Sequence, residues 1–117
     1  MWRFWRATIN SWNGLVCAAR SDQAIREELV ALALSVPFAW LIGVTTMRSF
    51  QLVAAVAMVL MVELLNTAIE KLADRLTTDH DPRIGQVKDM GSAAVGVALA
   101  VAGLFWLFAI AERMGLI

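Results

Sequence analysis

Two stretches of this sequence carry no charge at all. They are Leu29 to Met47, bounded by Glu28 and Arg48, and Met90 to Ala111, bounded by Asp89 and Glu112. A helix needs roughly 20 apolar residues to cross ~30 Å of hydrocarbon, and both stretches are of that order. Ser49 to Val62 is also uncharged, so Ser49 to about Arg75 reads as a further spanning helix with Glu63 and Glu70 near one end. Backbone inside lipid must satisfy its own hydrogen bonds, which makes each stretch helical. Pro37 is tolerated there as a kink. With 60% apolar and 17% charged residues in a chain of 117, a soluble monomer would leave large apolar patches in water. Zero net charge removes the basic excess that nucleic acid requires, and one cysteine, Cys17, excludes an internal disulfide framework.

The expectation is one all-α membrane domain over residues 1–117. It has an amphipathic segment at 1–28 and transmembrane helices at 29–47, 49–75 and 88–112. Basic residues set its orientation. Arg3, Arg6, Arg20 and Arg26 precede the first span, and Lys71, Arg75, Arg83 and Lys88 lie between the second and third. Only Arg48 lies between the first and second, and only Arg113 follows the third. The positive-inside rule puts the N-terminus in the cytoplasm and the C-terminus outside. In the first segment Trp2, Trp5, Ile9, Trp12 and Val16 recur at helical spacing, with Arg3, Arg6, Asn10 and Asn13 on the adjoining face. Such a helix lies in the membrane surface, although Gly14 weakens it. Thr77 to Gly85 reads as a polar cytoplasmic loop.

The chemistry concentrates in ELLNTAIEKLAD, Glu63 to Asp74. At 100° per residue, Glu63, Asn66, Thr67, Glu70 and Asp74 share a sector about 100° wide. Acids in a spanning helix are costly and mark function by default. The plainer reading is that they join helices through hydrogen bonds. Glu63 and Glu70 stand about 10 Å apart along the axis, too far to share a proton. Glu63, near the hydrocarbon boundary, suits a general base that takes a proton from a hydroxyl. Glu70, two turns nearer the cytosol, suits a hydrated Mg²⁺, and Asp22 offers a second ligand. Lys88 is either a phosphate contact or a basic flank, with Asp89 a helix cap beside it. His80 reads as a solvated or phosphate-contacting loop residue, and no P-loop or dinucleotide fingerprint occurs.

The run ELLNTAIEKLAD resembles the signature of the small prokaryotic integral-membrane diacylglycerol kinases. Ser11-Trp12-Asn13-Gly14-Leu15, Ile25-Arg26-Glu27-Glu28 and Lys88-Asp89-Met90-Gly91-Ser92-Ala93-Ala94 fit the same family in the same order. The resemblance covers essentially the whole chain. It implies a homotrimeric, ATP- and Mg²⁺-dependent lipid kinase of the bacterial inner membrane, making phosphatidate from diacylglycerol. By that resemblance Glu63 is the catalytic base, and Glu70 is a Mg²⁺ ligand. Asp22 is the other ligand, at a position where the family usually has Glu. Arg3, Asn10, Asp79, His80, Asp81, Lys88 and Asp89 fall on nucleotide-contacting positions, which Asp22 and Glu70 share through the metal. Ser11, Trp12, Glu28, Glu63, Ser92 and Trp106 fall on the lipid pocket, and Asn66 would orient Glu63 or a phosphate. Undecaprenol kinase is the nearest alternative, with the same chemistry on another alcohol. A small proton-coupled transporter, with Glu63 carrying protons, is the alternative of a different class.

Overall fold

A computed structural model describes residues 1–77 and 79–117; Thr78, within the expected polar loop, lies outside them. Four helices follow in order: α1 (Trp2–Ser21), α2 (Gln23–Ile42), α3 (Thr46–Leu76) and α4 (Pro82–Arg113). The main body is α3 packed between α2 and α4, and α1 touches it only near its C-terminal end.

Two short interruptions set the path of the chain. Asp22 is extended, ends α1, and caps α2 by accepting from Ala24 N–H at 2.9 Å. The segment expected over 1–28 is therefore two pieces, because this cap starts a new helix at Gln23; α1 itself runs unbroken through Gly14. The stretch from Leu29 to Met47 is likewise not one helix. α2 ends at Ile42, Gly43 caps it, and Thr45 starts α3 by accepting from Arg48 N–H at 3.0 Å. Inside this corner Ser49 donates to Ala39 O at 2.8 Å, and a β-carbon on Gly43 would collide with Ser49. Glycine is required there by close approach.

The corner shortens the apolar part of α2. From Leu29 to Ile42 it spans roughly 21 Å at 1.5 Å per residue. Among the described residues α3 and α4 are the two helices long and apolar enough to cross a membrane. Both exceed the expected ranges. α4 starts at Pro82, with Asp81 as its cap accepting from Arg83 N–H, so the expected start at residue 88 lies inside the helix. Asp89 is correspondingly not the cap. Proline at the first helical position is a favourable start, since its missing N–H would be unpaired anyway.

Packing follows residue size. Gly91, Ala98, Ala102 and Ala109 form the buried seam of α4, and Ala55 and Val59 meet it from α3. Ala39, Leu52 and Ala109 join α2, α3 and α4 at one end, and Ala18, Ile25 and Leu60 join α1, α2 and α3 toward the other. Small side chains let the backbones approach closely. Most large apolar side chains of α4 are left outward, and only 17% of its most apolar stretch is covered by protein. A soluble core helix would be covered, so this surface belongs in lipid or against other chains.

Candidate active site

The polar stripe of α3 converges with the α1–α2 interruption. Asp22 Oδ2 accepts from Thr67 Oγ1 at 2.6 Å, and Lys71 Nζ donates to Ser21 Oγ at 2.8 Å. Thr67 is 5% exposed, and its hydroxyl is the chief reason the Asp22 carboxyl lies below its ordinary range. Arg26 closes the C-terminal end of α1 by donating to Ala19 O at 2.8 Å and Arg20 O at 3.3 Å. Ser21, Asp22, Thr67, Glu70, Lys71 and Asp74 line one acidic cleft of about 310 Å³.

Asn66, buried beside this cleft, donates from Nδ2 to Glu70 Oε1 at 3.2 Å. Its Oδ1 has no hydrogen-bond partner among the described residues and faces Gly91, where a β-carbon would collide with it. A larger residue at 91 would move the amide and the carboxylate it holds. Glu63, two turns deeper, is half-buried and in coulombic reach of Asp22, Glu28 and Glu70. Among the described residues none of these four acids forms an ion pair. Carboxylates that repel one another without a direct ion pair are costly to a fold, which is the ordinary signature of a site completed by something that binds.

A second polar cleft, about 450 Å³, lies beyond Asp74. Asp79, His80, Asp81 and Lys88 line it with Asp74, and Lys88 pairs with Asp74. Asp81 is spent as the α4 cap. A third, mostly apolar cleft of about 420 Å³ runs between α1 and α3, lined by Ser11, Leu15, Cys17, Leu64, Thr67 and Lys71 among others.

The other candidate residues stand apart. Arg3 and Asn10 are exposed on α1, and Trp12 is 67% exposed on the same uncovered stripe as Trp2 and Trp5. Asp89 and Ser92 are exposed on α4. Trp106 is far from the acids, packed on Ala39, Leu52 and Ala109 and donating to Leu52 O at 3.2 Å. Lys71 was not singled out by sequence reasoning. Its signal was spacing, four residues after Thr67 and next to Glu70. No three His, Cys, Asp or Glu side chains among the described residues gather closely enough to hold a metal alone. Mg²⁺ does not demand such a cage, since one or two carboxylates plus phosphates commonly hold it. Asp22, Glu70 and Asp74 bring hard oxygen donors to one cleft and fit that use.

The sequence profile of prokaryotic diacylglycerol kinase matches residues 9–110. The chain belongs to that family. The diacylglycerol kinase of Escherichia coli K12 is 37% identical over 113 residues, covering 97% of this chain and 93% of the relative. That of Pseudomonas aeruginosa is 36% identical, covering 89% and 85%, and that of Haemophilus influenzae is 33% identical, covering 86% and 85%. The chain is therefore a kinase. With two long, largely uncovered apolar helices, it is also a membrane protein.

Proposed function

We propose that the chain phosphorylates diacylglycerol with MgATP at the cytoplasmic face of the bacterial inner membrane, giving phosphatidate and ADP. The observation that carries this reading is the acidic cleft of Asp22, Glu70 and Asp74 placed directly beside an apolar cleft, with Glu63 two turns deeper. Diacylglycerol is the substrate named for the relatives. A lipid hydroxyl at headgroup level meets a nucleotide arriving from water, and phosphoryl transfer asks mainly for positioning and charge stabilisation. Glu63 takes the hydroxyl proton while the lipid oxygen forms its bond to the γ-phosphorus. The bond from that phosphorus to the β,γ-bridging oxygen breaks, and ADP leaves. Asp22 and Glu70 would hold Mg²⁺, which supplies charge neutralisation on the phosphates. Asn66 positions Glu70, and Lys88, Asp89, His80, Asp79, Arg3 and Asn10 serve the nucleotide. Ser11, Trp12, Glu28 and Ser92 serve the lipid. Tryptophans on α1 suit a helix lying in the membrane surface.

Each chain offers few walls around so open a cleft, and Ala93, Ala94, Gly96, Ala100 and Gly103 leave small residues uncovered on α4. A homotrimer with sites between chains accounts for both. Turnover of labelled ATP with diacylglycerol in mixed micelles tests the activity, and undecaprenol in the same panel tests the alcohol. Diacylglycerol turnover without a proton gradient is the expected result. Undecaprenol turnover alone would reassign the substrate, and gradient-driven transport without ATP would replace the kinase reading. Mixing a Glu63→Gln chain with an Asp22→Asn chain should restore partial activity. Its absence, with subunit mixing verified, would place both groups in one chain.

A further inference from the structure

The acidic cleft and the apolar cleft meet along two side chains, Thr67 and Lys71. The Thr67 hydroxyl is committed to Asp22. The Lys71 ammonium touches only Ser21 Oγ and pairs with no carboxylate among the described residues, although Asp22, Glu70 and Asp74 line the same cleft. The other lysine, Lys88, is tied to Asp74. Lys71 is exposed, and its single neutral contact is one that water replaces at little cost. It is thus a free cation on the boundary that a phosphoryl group must cross from nucleotide to lipid.

We propose that Lys71 binds the transferred phosphoryl group, holding the phosphate monoester of the lipid product where the acidic cleft opens into the apolar one. This rests on the kinase reading above. A phosphate dianion beside Asp22, Glu70 and Asp74 is repelled unless cations face it, and a compact ammonium on a flexible stem can follow the group over several ångströms. The substrate alcohol is neutral and gains little from Lys71, whereas the product gains a charge-assisted hydrogen bond. Lys71 therefore distinguishes product from substrate, and its removal relieves product inhibition.

The test compares wild type, Lys71→Ala, Lys71→Gln, Lys71→Arg and Ser21→Ala in mixed micelles. Phosphatidate should inhibit Lys71→Ala and Lys71→Gln about tenfold more weakly than wild type, the scale of one lost hydrogen bond to a charged group. Lys71→Arg should stay near wild type, and KM for diacylglycerol should move less than about twofold in all variants. Tryptophan-fluorescence titration of phosphatidate without ATP should give the same ranking. Equal inhibition of Lys71→Ala and wild type would overturn the proposal. So would Ser21→Ala reproducing the Lys71→Ala effect, because the lysine would then only fasten the α1–α2 interruption. A change confined to KM for MgATP would assign Lys71 to the nucleotide and also overturn it. Absence of wild-type turnover would instead sink the kinase reading, with the titration still reporting on Lys71.

Discussion

The two ends of α3 treat charge in opposite ways. At its start Arg48 is fully engaged: Nε and Nη2 meet Glu112 at 3.0 and 3.4 Å, Nη1 donates to Gln51 at 2.7 Å, and the guanidinium lies 4.8 Å over the Phe108 ring. Ser49 and Trp106 each close a backbone carbonyl nearby. Toward its other end Glu63 and Glu70 form no ion pair among the described residues, and Asp22 is held by a hydroxyl and a backbone amide. The first arrangement is complete as it stands and fastens α3 to α4. The second stores repulsion that a bound cation would relieve. On the proposed function, charge near a membrane boundary would serve shape at one end and chemistry at the other.

If that contrast is right, removing an acid at the open end should cost activity rather than stability. Glu63→Gln is expected to lower kcat by ~10²-fold or more, with KM for MgATP nearly unchanged. Steady-state assays at saturating lipid check this, and near-normal kcat would remove Glu63 from the base role. Glu70→Gln and Asp22→Asn should each raise the Mg²⁺ concentration for half-maximal rate, by on the order of tenfold for a lost hard oxygen ligand. A Mg²⁺ titration of both variants decides it, and unchanged curves would move the ligands elsewhere.

Two further variants probe shape. Gly91→Ala drives a methyl into Asn66 Oδ1, and relief of such overpacking typically costs about 1–3 kcal/mol. Thermal unfolding in detergent should show the loss, together with reduced activity as the Asn66–Glu70 contact shifts. Glu112→Gln at the closed end should cost about 1–2 kcal/mol, between an exposed and a buried pair, because Arg48 and Glu112 are 22% and 24% exposed at the side chain. Its kcat should stay within about twofold of wild type. A large loss of kcat there would erase the distinction between the two ends.

Much of this was legible in the residue order. The long uncharged runs marked α3 and α4, and the 3–4 spacing of Glu63, Asn66, Thr67, Glu70 and Asp74 marked one face. The α2–α3 corner was not, because Leu29 to Met47 is apolar on both sides of the turn and hydropathy does not register where the hydrogen-bond ladder stops. Gly43 followed by Thr45 was the available sign, a capping pair inside a hydrophobic run. Asp81-Pro82 was read as a turn where it starts α4. The Asp22–Thr67 bond joins residues 45 apart, and no local pattern reports such a contact. Lys71 escaped for the opposite reason: a lysine after a glutamate looks like an ordinary solvated pair.

The α2–α3 corner also bears on how the molecule assembles. Gly43, Val44 and Thr45 are all the chain that separates the two helices. Bringing their facing sides together closes almost no loop, so little chain entropy opposes the Ala39–Leu52 contact. α4 follows α3 after a longer connection, residues 77–81, before its seam of small side chains can meet Ala55 and Val59. The α2–α3 hairpin is therefore expected to form first and act as the template on which α4 docks. Lengthening the corner with flexible residues should slow refolding from denaturing detergent, while leaving the final packing as it is.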